Sequence, residues 1–339
     1  MSKLPVHEID FSELNNIYFG TIASRLLMTA IDMNVFDYLE KSISFGEVAL
    51  AVNSHPENTE LMLDALCAGG MLEKKNGMYK NGKLANDFLV RGKPAYLGEW
   101  LKQADEATAP FLENLEHYIR SGPGAPSEEE TMNGEAYCER YTASHAASSL
   151  AGIALQFAGH ISALPGFMDC RTMLDLGGGP GINLMAIVEK NPDLAATLFD
   201  RPGIVRMAQN YIKAYGFEER VTTIGGDYLE DCIGTGYDMV MITDSLYYED
   251  HEIDPVLKRC HAAIRPGGMF VGIHAVLTHE RTRPVHLVMD LLTETMTGQA
   301  HLREKGFLLH ALERCGFKDV TSKNVIICGI PMEMNTGYV

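Results

Sequence analysis

The densest run of chemically useful residues is Met173-Leu174-Asp175-Leu176-Gly177-Gly178-Gly179-Pro180-Gly181, followed at once by an apolar stretch from Ile182 to Val188. An apolar strand that ends in glycines and turns directly into a helix lets a ligand approach bare backbone, because glycine accepts positive φ and carries no side chain. In an open α/β sheet such a turn, at the carboxyl end of its strand, binds nucleotides. The spacing speaks against a dinucleotide. That fingerprint needs G-x-G-x-x-G, and the sixth position is Ile182 counted from Gly177 and Leu184 counted from Gly179.

Three later strand ends add to the same edge. The second strand, Ala195 to Phe199, ends in Asp200, which can accept from both hydroxyls of a ribose. The third ends in Gly225-Gly226-Asp227-Tyr228, where Asp227 can accept from an adenine amino group and Tyr228 can stack on the ring. The fourth ends in Thr243-Asp244-Ser245, beneath the same cleft. Each acid alone has an ordinary structural use, since Asp before a helix is a common cap. The set of glycine turn, Asp200 and Asp227 at successive strand ends is far more specific to an adenosine-containing ligand.

These residues need a sheet to hold them. Strands are expected at 172–176, 195–199, 221–225, 237–243, 268–274, 317–321 and 324–330, with helical patterns between most of them. Such alternation implies a mostly parallel sheet covered on both faces. The last two strands are joined by a short turn around Ser322-Lys323, too short for a parallel crossover, so they should form an antiparallel hairpin at the edge.

Upstream the pattern changes. Helical periodicity runs from Phe11 to about Glu40, then over Phe45 to Val52 and Thr59 to Ala68, followed by a hairpin signal at Asn76-Gly77. Three helices and a hairpin make a winged-helix pattern. Its presumed reading helix offers Glu57, Glu60 and Asp64 and no Lys or Arg, whereas groove readers need cations; packing or dimerisation is the better use. Residues 84–120 read as helical with breaks at Pro94 and Pro110, and Tyr137 to Leu164 as a long small-residue-rich helical connector that lends its apolar face to a pocket. The expected units are residues 1–105, 106–168 and 169–339.

A formal charge of −17 argues against a nucleic-acid partner. No signal pattern or apolar run approaching ~20 residues occurs, so no membrane span is expected and the chain reads as soluble and cytoplasmic. Seven scattered cysteines without a C-x-x-C read as reduced core residues rather than disulfides or a zinc site. Eighteen methionines suit irregular cores and adaptable apolar pockets.

On Ala23-Ser24-Arg25-Leu26-Leu27-Met28-Thr29-Ala30, Val35-Phe36-Asp37, Gly70-Met71-Leu72-Glu73, the glycine turn, Asp200-Arg201-Pro202, Gly226-Asp227-Tyr228 and Arg265-Pro266-Gly267-Gly268, the sequence resembles the class I S-adenosylmethionine-dependent methyltransferases. Within that class it is similar to the caffeate and hydroxyneurosporene O-methyltransferase type. The resemblance implies a Rossmann-like seven-stranded α/β methyltransferase domain behind a winged-helix dimerisation domain. It also implies a homodimer formed through the N-terminal domain, and a small-molecule acceptor. The donor would be held by Asp175, Gly177, Gly178, Gly179, Gly181, Asp200, Arg201, Gly226, Asp227, Tyr228 and Thr243. Transfer of a sulfonium methyl needs positioning and a dry site, and a neutral hydroxyl also needs a base.

Here the sequence departs from the family. The His that follows the fourth strand is replaced by Tyr247, the acid ending the fifth strand by His274, and a second acid, before Arg303, by Leu302. Three readings stay open. His274 could be the base with Tyr247 orienting the acceptor. The acceptor could instead be a thiol, an amine, an acidic phenol or an electron-rich carbon, as on a tetrapyrrole. Or the site could bind the donor without transferring a methyl. The segment after the fifth strand supplies His286, Met289, Asp290 and Met296 as acceptor-lining candidates. His286 and Asp290, four apart, share a helical face but fall short of a metal site; no metal is expected. His251, His279 and His301 are read as surface or core residues.

Overall fold

The computed structural model describes residues 10–122, 135–246, 253–296 and 303–339. The chain divides into two compact units with the boundary between Gln103 and Ala104.

The first unit opens with α1 (Ser12–Asp32), then β1 (Ile43–Ser44), α2 (Phe45–Ala51), α3 (Pro56–Ala68), β2 (Leu72–Lys75), β3 (Met78–Asn81) and α4 (Lys83–Phe88). Ser44 caps α2 through a reciprocal pair with Glu47, which satisfies otherwise orphaned N–H groups. The wing is an antiparallel pair turning at Asn76 and Gly77, both at positive φ (52° and 76°), as a two-residue hairpin turn requires. Asp64 of α3 is spent inside the unit: it accepts from Lys74 Nζ and from Tyr79 Oη, both at 2.7 Å, and so ties the helix to the wing. Phe36, Leu39, Leu63 and Tyr79 form the centre of this unit's core.

The second unit continues from α5 (Gly98–Glu113), whose first residues precede the boundary, through α6 (Leu115–Ser121), α7 (Glu135–Ser148) and α8 (Ala154–Ser162) to the sheet. There follow β4 (Thr172–Leu176), α9 (Ile182–Lys190), β5 (Ala195–Asp200), α10 (Pro202–Ala214), β6 (Val221–Gly225), β7 (Tyr237–Thr243), α11 (Ile253–Ala263), β8 (Ile264–Leu277), α12 (Val285–Met296), β9 (Arg303–Glu304), α13 (Phe307–Arg314), β10 (Lys318–Ile327) and β11 (Ile330–Tyr338). The strand order is β10-β11-β8-β7-β4-β5-β6, with β9 pairing onto β8. The five strands from β8 to β6 run parallel and β10–β11 is an antiparallel hairpin against β8. Helices α8, α9 and α10 cover one face and α11 and α13 the other, so the central strands are apolar on both sides. All the parallel strands therefore end at one edge, and that edge carries the candidate site.

Several expected boundaries are corrected. The first helix ends at Asp32, because Asn34 takes a left-handed φ of 56° and a short 3₁₀ turn follows. Pro110 does not break α5 but sits in its last turn, where a missing N–H removes a single ladder bond. The connector helix is interrupted by a π-turn at Ser149–Ile153, where Gly152 has φ 126°. The fifth parallel strand is longer than expected, Ile264–Leu277. The edge hairpin turns at Cys328-Gly329, with φ 48° and 83°, and not at Ser322-Lys323, which pair within the ladder.

Candidate functional site

At the end of β4 the chain turns through Gly177 (φ 77°), Gly179 (φ 55°) and Gly181 (φ 76°). The lack of side chains is required there by contact as well as by φ. A Cβ on Gly177 would lie 2.5 Å from Ser245 Oγ, and one on Gly178 would lie 2.8 Å from both Asp175 Oδ2 and Leu198 Cγ. Gly179 differs, because a Cβ there would point into open space. The turn is thus backed by protein on one side and bare on the other, the shape a ligand cradle needs.

Asp200, ending β5, is pinned by backbone at both oxygens. Gly179 N–H donates to Oδ2 at 2.8 Å and Arg201 N–H to Oδ1 at 2.7 Å. Burial raises this carboxyl, and the two N–H bonds with the Arg201 charge oppose the rise. Each oxygen keeps a lone pair for a ribose hydroxyl. Asp175 lies beneath the turn, 1 % exposed, with Oδ1 unpartnered among the described residues. Burial, and then the negative charge of Asp200, push its carboxyl up to about 8. With that pKa the group is largely protonated at pH 7.

Past β6, Asp227 Oδ1 accepts from Leu229 N–H at 2.8 Å, and Asp227 N–H donates to Asp231 Oδ2 at 2.8 Å. The capping role open to any strand-ending Asp is present here, while the residue stays exposed on a cavity of about 440 Å³. Arg201, Arg206, Gly203, Gly226, Cys138 and Asp231 line the same cavity. Tyr228 reaches the other way. Its Oη donates to the Ser245 carbonyl at 2.9 Å, and its ring edge lies 4.0 Å from a Cβ placed on Gly177. That bond ties the loop after β6 to the loop after β7 across the glycine turn. Ser245 Oγ donates to the Leu176 carbonyl at 3.2 Å and closes the same link.

The ends of β7 and β8 form the other half of the edge. Thr243 is half-buried and pairs in register with Ile273. His274, one residue on, has both ring nitrogens shielded from water and unpartnered among the described residues. Burial pushes its pKa down to about 4, so the ring is neutral at pH 7. Glu333 of β11 stands opposite His274 in register, but its oxygens are taken by Gly306 N–H at 2.9 Å and Ser322 Oγ at 2.6 Å. Asp244, which was not among the singled-out site residues, is the first residue after β7. It is solvent-accessible yet walled by protein, and that desolvation raises its carboxyl to about 6 against the opposing Ala275 N–H bond. Its signal was its place at a strand end; Glu333 had none, since a buried acid in an edge hairpin reads as a surface charge.

Among the substrate candidates, His286, Met289 and Asp290 are exposed on α12 and Met296 is half-buried. Burial raises the Asp290 carboxyl and the charge of His286 opposes it, so these two face each other as their spacing predicts. Tyr247, His251, His301 and Leu302 lie outside the described residues. No described helix is long and apolar enough to cross a membrane.

The chain belongs to the O-methyltransferase family: the O-methyltransferase domain matches residues 140–318 and the O-methyltransferase dimerisation domain residues 15–91. It is similar to the tetracenomycin polyketide synthesis 8-O-methyl transferase of Streptomyces glaucescens, 29% identical over 280 residues that cover 80% of this chain and 78% of that one. It is also similar to the 3-hydroxy-5-methyl-1-naphthoate 3-O-methyltransferase of Streptomyces sahachiroi, 25% identical over 288 residues, 83% of each chain. Human N-acetylserotonin methyltransferase, solved in complex with S-adenosylmethionine, has the same fold, with a TM-score of 0.81 at 22% identity over 98% of this chain and 99% of that one. The protein is an S-adenosylmethionine-dependent methyltransferase that acts on a small-molecule acceptor, with a Rossmann-like domain behind a winged-helix dimerisation domain. The glycine cradle and the doubly pinned Asp200 fit that donor. When bound, it supplies a methyl group on a positively charged sulfur. Within the dimerisation domain, Leu14, Tyr18 and Ile22, four apart along α1, stand exposed at 69 %, 69 % and 55 %, an apolar face suited to a second copy.

Proposed function

We propose that the acceptor is a hydroxyl on a planar aromatic small molecule and that the reaction is O-methylation. The donor's methionine end lies against Gly177, Gly178, Gly179 and Gly181, its ribose at Asp200, and its adenine by Gly226 and Asp227 near Arg201. Tyr228 and Thr243 complete the walls, and α12 with Met289 and Met296 backs the acceptor. The observation that carries this reading is His274: a desolvated, neutral imidazole with both nitrogens unpartnered among the described residues, on the other half of the edge that carries the glycine turn. Such a ring suits an uncharged hydroxyl, to which it can donate or accept one hydrogen bond. With its pKa near 4 it is a weak proton acceptor, so it positions the hydroxyl more than it deprotonates it. That favours a phenol over an aliphatic alcohol, in line with the hydroxynaphthoate named for the Streptomyces sahachiroi relative.

Two copies pair through the first unit, using the apolar face of α1. The seven cysteines, free thiols in the structure, suit a reducing cytoplasm. Incubation with methyl-labelled S-adenosylmethionine and cell extract, followed by mass analysis, tests the reading. Label on an aromatic ether oxygen supports it; label on carbon, sulfur or nitrogen sinks it. His274→Ala should lower kcat/KM for the acceptor about tenfold to a hundredfold, with most of the loss regained in His274→Gln, which keeps a hydrogen-bonding group.

A further inference from the structure

The family's usual proton acceptor is absent from this sequence, and His274 is a weak one. A carboxylate that nothing above has assigned stands beside it. Asp244 leaves β7 at a left-handed φ of 43°, a conformation Asp tolerates better than most residues but still uncommon. Two contacts with β8 fix it. Its N–H donates to the Ile273 carbonyl at 3.0 Å, and its Oδ1 accepts from Ala275 N–H at 2.9 Å. These bonds straddle His274 and hold the carboxylate beside that residue's backbone. The next residue, Ser245, is the one that bonds Leu176 and abuts Gly177. Asp244 thus sits between the glycine turn and His274, just past the end of the strand that separates β4 from β8. It is solvent-accessible, and among the described residues Ala275 N–H is the donor its carboxylate has, which leaves Oδ2 for another.

We propose that Asp244 is the general base of the methyl transfer, with Oδ1 held by Ala275 N–H and Oδ2 receiving the proton of the acceptor hydroxyl. This rests on the O-methylation reading above. As Oδ2 takes the proton, the hydroxyl oxygen uses its electron pair to form the carbon–oxygen bond. The carbon–sulfur bond breaks and its pair goes to sulfur, giving a neutral thioether and a methyl ether. The protonated Asp244 then returns its proton to water.

The chemistry of the edge favours this carboxylate. The titratable described groups around it are His274 on β8, Asp175 and Asp200 at the ends of β4 and β5, and Tyr228 after β6. Burial lifts the Asp244 carboxyl to about 6 and pushes the His274 imidazole to about 4, which reverses the ordinary order of the two side chains. A pKa one unit below neutrality leaves that group mostly ionised at pH 7 while close to the operating pH, the condition for an efficient base. Environments that push two titratable groups apart in this way mark acid–base roles.

The test is Asp244→Asn, assayed with S-adenosylmethionine and two phenols as probes, 3-hydroxy-1-naphthoate and its more acidic 4-nitro derivative. The variant should lose about 10²–10³-fold in kcat/KM on the less acidic phenol and less than about tenfold on the nitrophenol, which ionises without help. Wild-type kcat/KM should fall on an acid limb at or below about pH 6, and that limb should vanish in the variant. Calorimetric affinity for S-adenosylhomocysteine should stay within about twofold. Equal losses on both phenols, a retained acid limb, or a donor affinity that falls with the rate would overturn the proposal. If the wild-type enzyme labels no hydroxyl of either probe or of an extract acceptor, the O-methylation reading fails first and this proposal falls with it.

Discussion

The two halves of the strand-end edge are built differently. On the β4–β5 side most polar groups at the turn are committed, Asp200 to Gly179 and Arg201, and Tyr228 and Ser245 to the turn's own neighbours, while Asp175 is sealed beneath the turn. On the β7–β8 side His274 has two unpartnered nitrogens and Asp244 has one open oxygen among the described residues. On the reading proposed above, the first half is a preformed mould for one ligand. The second presents groups whose bonds wait for a substrate. A family with one donor and many acceptors needs this division, because a mould tolerates no variation and a wall with open valences can be reset residue by residue.

The contrast breaks most visibly at Gly177. A Cβ there is strained by positive φ, at a cost of about 1–2 kcal/mol, and collides with Ser245. Gly177→Ala should therefore weaken S-adenosylhomocysteine binding at least about a hundredfold by calorimetry and also lower Tm. Gly179→Ala, with open space beyond, should spare Tm more than it spares binding, since the space it fills is the ligand's. If both variants bind normally, the turn is no mould.

A smaller effect is expected at Asp200. Asn keeps the shape but offers an NH₂ where one backbone N–H also donates, so one bond is lost and a donor faces a donor. A charge-assisted bond contributes about 1.5–3 kcal/mol, and Asp200→Asn should raise the donor's Kd about 10–100-fold while leaving the acceptor KM nearly unchanged. A variant that shifts the acceptor KM instead would place Asp200 on the wrong side of the comparison.

The smallest effect sharpens the role of Asp175. Its folded pKa, about 8, lies above the ~3.9 of an unfolded Asp. The folded state therefore holds the proton more tightly. The protein is relatively most stable below about pH 4 and loses that advantage as pH rises toward 8. Asp175→Asn cannot ionise, so its Tm measured without ligand should gain on the wild type steadily from pH 5 to 8, by about 5–10 °C. Asp200 and Asp244 are shifted the same way and remain, so the slope should shrink without vanishing. Parallel Tm profiles would mean that Asp175 is ionised in the folded protein.

Much of the architecture of the β4–β5 half was legible in the sequence because it consists of local signals. A glycine turn between a strand and a helix, and acids at successive strand ends, are set by residue type and spacing over a few positions. The Asn76-Gly77 wing was readable for the same reason, since those residues accept the positive φ the turn demands. The edge hairpin's turn was not. Cys328 is an unusual residue for left-handed φ, and it is held there by Gln156, whose Oε1 accepts from its N–H at 2.8 Å. Nor did periodicity reveal that Gly152 interrupts the connector helix, because small residues fit a helix and a kink equally well.

The sequence by itself determined the sheet, its glycine turn and, through that turn and the acids at the strand ends, the identity of the donor, because each is a property of neighbouring residues along the chain. Tertiary structure alone decided that Asp175 is a buried neutral acid, that Asp200 is held by two backbone N–H groups, and that Asp244 and His274 stand together with their affinities for a proton reversed. Proton affinity depends on desolvation and on what lies across a strand pair, and those neighbours are brought in from distant parts of the chain only when it folds.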